Sequence, residues 1–348
     1  MTLLSLGLSF VLLLSCAAPF ISPISFWFVS LFGFIFPYIY VINIITLVFL
    51  IRAHKKVVYL HLLTLVFASF FITRNFAFNW KKDQANGLKV MTWNVKCFDL
   101  YNWSHNKETA EKMMNLIRKE NPDILCLQEF YTDSKEYFNL EFIQHDLGYR
   151  YVHFKETTIL RNRDRWGIAT FSKYPIDERD SLVFDHSKNN VCIISQVKYK
   201  GKKYQVFNAH MQSLHFGYND YAYLEDLKKD IHTNNWQKSQ SILSKLKTAY
   251  HNRSNQSLII SKAVQEAENP IVCGDFNDIP MSFTYQNISK GMQDAFVAKG
   301  LGFSKSIDLF IPNLRIDYIF TSSKFKVNSY KVINKNLSDH YPLIISFD

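Results

Sequence analysis

The sequence predicts an α/β fold of two packed, mostly antiparallel sheets flanked by helices, preceded by an N-terminal transmembrane helical region. Three observations carry this reading. The first 78 residues hold no acidic side chain and are almost wholly apolar or small. About ten short strand-like runs follow, many with no helical pattern between them. Helical periodicity is confined to a few segments, and such a mixture buries its apolar faces best as two sheets packed together and covered by helices.

Met1 to Ile51 carries no charged side chain, and Pro19 and Pro23 divide it. The two parts, Leu3–Phe20 and Phe26–Ile51, each approach the ~20 residues a helix needs to cross a bilayer. A third run, Val57–Ile72, sits at the short end of that range and gains length if Phe76–Phe78 continues it. Its alternative is a buried or interfacial helix. Arg52, Lys55 and Lys56 lie between the second and third runs, and positive loops stay in the cytoplasm. Three crossings then place everything after Ile72 outside; if the third run does not cross, the rest of the chain stays inside. Leu13-Leu14-Ser15-Cys16 loosely resembles a lipoprotein cleavage box, but the basic residues of a signal peptide do not precede it. The expected organisation is a three-helix membrane anchor over 1–78, a polar linker over 79–87 and one large extracytoplasmic domain over 88–348. The expected localisation is a multi-pass membrane protein.

The chain has 40 basic and 30 acidic residues. Four of the basic ones lie in the first 78 positions, which leaves 36 against 30, a formal +6, for the remainder. That suits an anionic partner such as nucleic acid or a phospholipid surface, and is equally ordinary for a soluble domain. Cys97, Cys126, Cys192 and Cys273 sit in or beside apolar runs with no Cys-x-x-Cys spacing, and read as buried free thiols.

Strands are expected at Leu88–Val95, Ile124–Gln128, Tyr151–Phe154, Ile168–Phe171, Val191–Tyr199, Tyr204–Ala209, Ile271–Cys273, Ile316–Thr321, Phe325–Val332 and Leu343–Phe347. Helical spacing marks Thr109–Lys119, Gly291–Lys299 and a long segment from Trp236 to Glu268. Arg253 falls on the apolar stripe of that long helix and is expected to snorkel at its edge.

The most informative stretch is Gly274-Asp275-Phe276-Asn277, where an apolar run ends. If the end stays extended, Asp275 and Asn277 face the same way. A carboxylate beside a carboxamide suits Mg²⁺ or an activated water better than a soft metal, although an Asx-rich turn is the simpler alternative. Other apolar runs end in polar residues too: Asn94, Gln128-Glu129, Asn208-Ala209-His210 and Ser338-Asp339-His340, with Asp317 just after Arg315. Singly, each has a plain structural role open to it, Asp317 for example an ion pair with Arg315.

Together and in this order these blocks resemble the endonuclease/exonuclease/phosphatase superfamily, the DNase I-like fold, from about Leu88 to Phe347. The resemblance implies a four-layered α/β sandwich and Mg²⁺-dependent phosphoester hydrolysis, with Mn²⁺ as a substitute ion. It implies Glu129, Asn94 and Asp339 at or near the metal. His340 matches the histidine that contacts the phosphate or serves as general base, and Asp317 the acid that orients it. Asp275 and Asn277 match the pair that positions the attacking water, and His210 a phosphate-binding or leaving-group histidine.

The segment from His210 to Ile271 is less typical, with aromatic residues Phe216, Tyr218, Tyr221 and Tyr223 suited to bases, to a membrane or to plain loop packing. The expected function is therefore a membrane-anchored phosphodiesterase acting outside the cytoplasm on nucleic acid or nucleotides. The alternatives are the same chemistry on a phospholipid, sphingomyelin-type or sugar-phosphate substrate, and a non-catalytic subunit that retains the fold.

Overall fold

A computed structural model describes residues 2–53, 56–80, 86–133, 140–161, 163–184, 189–214, 236–309 and 313–348. Lys55, most of the expected linker and the aromatic group Phe216, Tyr218, Tyr221 and Tyr223 lie outside the described residues. In chain order the helices are α1 (Thr2–Ala17), α2 (Pro23–Phe26), α3 (Val29–Arg52), α4 (Val58–Ile72), α5 (Thr109–Glu120), α6 (Leu140–Asp146), α7 (Trp236–Glu266), α8 (Phe283–Ile288) and α9 (Ala295–Lys299). The first half of the strands comprises β1 (Phe76–Phe78), β2 (Leu88–Asn94), β3 (Ile124–Thr132), β4 (Tyr151–Leu160), β5 (Asp164–Ser172), β6 (Ile176–Val183) and β7 (Val191–Tyr199). The second half comprises β8 (Lys202–His210), β9 (Pro270–Asp275), β10 (Met292–Asp294), β11 (Leu301–Phe303), β12 (Asp317–Ser322), β13 (Val327–Val332) and β14 (Leu343–Phe347).

Two six-stranded sheets form, ordered β13-β14-β2-β3-β5-β4 and β10-β12-β9-β8-β7-β6. Among the described residues only β2–β3 and β8–β9 pair in parallel; the other neighbours are antiparallel. Alternation along the strands sorts the side chains into layers. Leu88 and Val90, Ile124 and Cys126, Val206, Ile271 and Cys273 meet in the core between the sheets. The opposite faces carry Met91 and Trp93 toward α5, and Phe207 and Val272 toward α7. Helix, sheet, sheet and helix are thus the four layers expected. All five cysteines are free and buried.

Several elements depart from expectation. β6 was not foreseen because half of it is charged and exposed; it is an edge strand, where charge blocks further pairing. Gly291–Lys299 is not one helix: Met292–Asp294 pairs with β12, and the Asp294 carboxylate then accepts from Phe296 N at 2.9 Å to start α9. Phe76–Phe78 does not lengthen the third apolar run. It forms a two-stranded ribbon with Leu301–Phe303.

Two N-terminal helices, Thr2–Phe20 and Val29–Arg52, are long and apolar enough to cross a membrane; Val58–Ile72 is shorter. The three pack on one another, and Ser9, Asn43 and His61 join them through side-chain hydrogen bonds. Gly274, between the core and the site, has φ +133, and a Cβ there would lie 2.0 Å from the Ala209 carbonyl oxygen on β8. Gly274→Ala is therefore expected to cost about 3 kcal/mol, read as a drop in the chemical-unfolding midpoint of the full-length protein in detergent. An unchanged midpoint would refute this reading of the β8–β9 contact.

Candidate active site

The alternation that builds the inter-sheet core also builds the site. Inward-facing residues are apolar along most of each strand and polar toward one end: Val90 gives way to Thr92 and Asn94, Cys126 to Gln128, Val206 to Asn208 and His210, and Cys273 to Asp275. Below the surface, Gln128 donates to Thr92 Oγ1 at 3.0 Å and across the sheets to Asn208 Oδ1 at 2.6 Å. Asn208 returns the crossing by donating to the Ala169 carbonyl at 2.9 Å. This buried polar layer fixes one sheet against the other, since an unpaired amide here would cost as much as a lost hydrogen bond or more.

Above it the expected residues converge. Asn94 Nδ2 donates to Glu129 Oε1 at 3.1 Å and to Asp275 Oδ2 at 3.0 Å, one carboxylate from each sheet. Its Oδ1 accepts from Lys96 N at 3.1 Å. Glu129 reaches the site through a β-bulge: the β3–β5 register shifts between Leu127 and Phe130, and Glu129 itself has φ +47. Asp275, Asp317 and His340 are buried and present ligand-type atoms within 4.8 Å of one another. Asp317 Oδ2 lies 2.9 Å from His340 Nδ1, while His340 Nε2 faces Asp275 Oδ2 at 3.7 Å. Burial opposes charge on His340, but the carboxylates of Asp317 and Asp275 outweigh it and push the imidazole up to about 10. Burial in turn raises the Asp317 carboxyl, against the pull of His340. His210 Nε2 is buried without a hydrogen-bond partner, 3.7 Å from Glu129 Oε1 and 3.9 Å from Asp275 Oδ2. It is a donor or acceptor aimed into the site.

Two expected residues are placed differently. Asp339 is partly exposed and pairs with Lys96 Nζ at 2.8 Å. Its partial burial opposes the charge, but His340 and Lys96 hold its carboxyl below the ordinary range. Asn277 does not continue the strand: its φ is +53, its N–H donates to Asp275 Oδ1 at 2.8 Å, and its amide donates to the Met211 carbonyl at 3.0 Å. The tetrad thus closes as an Asx turn that also braces the Asp275 carboxylate, and the two side chains are not parallel on an extended end.

Two basic residues overturn simpler expectations. Arg253 does not snorkel. It is buried, with Nε 3.2 Å from Asp278 Oδ2 and Nη1 donating to the Gln212 carbonyl at 3.0 Å. Arg315 pairs with Asp294 at 2.8 Å, which leaves Asp317 to His340. Gln128, Asn208 and Ser306, whose Oγ accepts from Asp317 N at 3.0 Å, were not foreseen as supports. The inward alternation of Gln128 and Asn208 was the available signal.

The donor set is made of hard oxygens and imidazole nitrogens. Two carboxylates from opposite sheets are bridged by one neutral amide, so their repulsion is relieved best by a cation. Soft thiolate ligation does not fit, because burial drives the Cys192 thiol, and contact with Cys126 together with burial the Cys273 thiol, well above their ordinary range.

The model of the Endonuclease/Exonuclease/phosphatase family matches residues 91–340. The chain belongs to that family. Members of this family are metal-dependent phosphoester hydrolases, and this chain is one by membership. A second family model, described as a domain of unknown function (DUF8431), matches residues 1–75. No curated protein matches at a significant level. Solved structures share the fold. A mannosyl-6-phosphatase from Bacteroides thetaiotaomicron VPI-5482 aligns with TM-score 0.54 at 17% identity, covering 75% of this chain and 100% of that one. The human Nocturnin catalytic domain with bound sulfate anion aligns with TM-score 0.52 at 19% identity, covering 78% and 95%. An endonuclease/exonuclease/phosphatase from Beutenbergia cavernae DSM 12333 gives 0.53 at 16%, covering 75% and 71%. At these identities the likeness is one of fold.

Because Arg253 is buried against Asp278, Asp278→Ala is expected to destabilise the protein by about 3 kcal/mol through an uncompensated buried charge. Arg253→Met combined with Asp278→Leu should recover most of that loss in the same chemical-unfolding assay. A neutral Asp278→Ala would contradict the pairing.

Proposed function

We propose that this enzyme is a membrane-anchored, Mg²⁺-dependent phosphodiester hydrolase acting on nucleic acid or nucleotides outside the cytoplasm. The observation that carries the chemistry is the Asn94 amide holding Glu129 and Asp275 together beside the Asp317–His340 pair. Glu129 and Asp275 would hold the ion, with Asn94 fixing their geometry and Asp339 supplying charge from the adjoining edge. When bound, Mg²⁺ supplies positive charge that offsets the negative phosphate and the charge that builds on it in the transition state.

The chain's own residues do the rest. Hydrolysis forms one phosphorus–oxygen bond from water and breaks the ester bond; the water's proton must be removed and the leaving oxygen must gain one. Asp275 Oδ2 can take that proton, and His340 Nε2, 3.7 Å from it, can take it only from the neutral imidazole; charged, it donates to a phosphoryl or leaving oxygen instead. Asp317 on Nδ1 fixes the orientation of His340. Unpartnered His210 Nε2 is free to bind a phosphoryl oxygen or to serve the leaving group.

The anchor reading rests on the apolar N-terminal helices, whose outward faces expose Leu3, Phe10, Val41, Phe49, Leu63 and Phe70. We read residues 1–78 as the anchor and 88–348 as the catalytic domain, with three crossings placing the latter outside. The formal +6 beyond residue 78 is compatible with a polyanion. One observation favours a phospholipid headgroup as a second reading: Ile279 and Met281, just past the tetrad, pack against the apolar helices.

The full-length protein in detergent should be incubated with Mg²⁺ and supercoiled DNA, RNA, sphingomyelin and bis-p-nitrophenyl phosphate. Polynucleotide cleavage that EDTA abolishes and Mg²⁺ restores is the expected result; cleavage of lipid alone would reverse the ranking. No turnover of any substrate, with Mg²⁺ bound, would sink both readings. Asp275→Asn and His340→Ala are each expected to lower kcat by about 10³-fold with an unchanged circular dichroism spectrum. Near-normal rates in either variant would refute the assigned site.

A further inference from the structure

The loop that follows the tetrad is gripped from two sides. On the domain side, Asp278 is buried, its carboxylate paired with Arg253 on α7 and its carbonyl accepting from Tyr318 Oη at 2.7 Å. Beyond it, Met281 is 1% exposed and belongs to the same apolar cluster as Cys16, Phe36, Ile39 and Leu65 of the N-terminal helices. The backbone itself is seated there. A Cβ on Gly33 of α3 would fall 2.2 Å from the Met281 carbonyl oxygen and 3.2 Å from Ala18 Cβ, so only glycine lets the loop come this close.

Further contacts tie the same face down. Arg74, just past α4, donates to Gln286 Oε1 on α8 at 2.6 Å, and its carbonyl accepts from Arg315 Nη2 at 2.8 Å. The Arg74 guanidinium lies 5.3 Å from the rings of both Phe71 and Tyr285. The loop is therefore a docked joint. Three residues separate Asn277 from Met281, and the four residue steps span at most ~14 Å, so a shift at Gly33 has little slack to absorb it before the turn that braces Asp275.

We propose that the N-terminal helices are a working part of the active site: Gly33 and Met281 act as positioning residues that hold Asp278–Met281, and through it Asp275 and Asn277, in register. This rests on the site assignment made above and not on whether the helices cross a membrane. It accounts for two features together, the glycine at a point of backbone contact and the double hold on a loop of only a few residues. The helices are then more than a tether, and movement within their bundle is transmitted to the site.

The test uses the full-length protein in detergent, comparing Gly33→Leu with the control Gly7→Leu, since a Cβ at Gly7 meets nothing within 4 Å. Hydrogen exchange of residues 276–282 reads the joint without reference to activity, and kcat and KM on the substrate that the wild type turns over read its consequence. Gly33→Leu is expected to speed exchange across 276–282 and to lower kcat about tenfold or more, with KM shifting less than about threefold. Gly7→Leu should match the wild type in both. If Gly33→Leu does not fold, Met281→Ala empties the same seat and carries the same expectation, while Met281→Leu, of similar volume, should retain activity. Wild-type exchange and kcat in Gly33→Leu would overturn the proposal, as would equal losses in Gly7→Leu. A wild type with no turnover would fail the hydrolase reading, and exchange at 276–282 would still decide this one.

Discussion

One amide holds two like charges together. Asn94 Nδ2 donates to Glu129 on one sheet and to Asp275 on the other, within about 0.1 Å of equal distance. Neither carboxylate would sit so near the other without it, and neither sheet could shift without breaking it. The Gln128–Asn208 crossing below keeps the sheets from sliding, and the bulge at Glu129 turns its carboxylate out of the strand's alternation. The polar layers are therefore stacked on the apolar core, and the fold and the site share one interface.

Around that bridge the two histidines differ in kind. His340 is oriented by Asp317 through Nδ1, whereas His210 offers an unpaired nitrogen into the same space. A phosphoester entering there meets an imidazole that is already oriented and another that still has a bond to make. The first arrangement fixes a ring orientation, the second favours binding that appears only when substrate arrives.

Much of this was legible in the sequence. Apolar runs ending in polar residues gave the central strands, and the order of the blocks gave the residues now seen around Asn94. What escaped has physical causes. β6 is an exposed charged edge, so its alternation carries no apolar signal. The bulge at Glu129 and the left-handed φ of Asn277 are single-residue departures from an extended chain, invisible to a period of two. Arg253 lay on the apolar stripe and was read as snorkelling, because its partner Asp278 is distant in sequence and meets it only through tertiary packing. Phe76–Phe78 looked like more helix, since a three-residue strand is defined by its partner, Leu301–Phe303.

The central claim is that Glu129 and Asp275 form a single divalent-cation site across the two sheets. Calorimetric titration of Mg²⁺ into the full-length protein tests it most directly. The account predicts one ion per chain, with affinity weakened at least about tenfold by Glu129→Gln and by Asp275→Asn. Wild-type affinity and stoichiometry in both variants would contradict it.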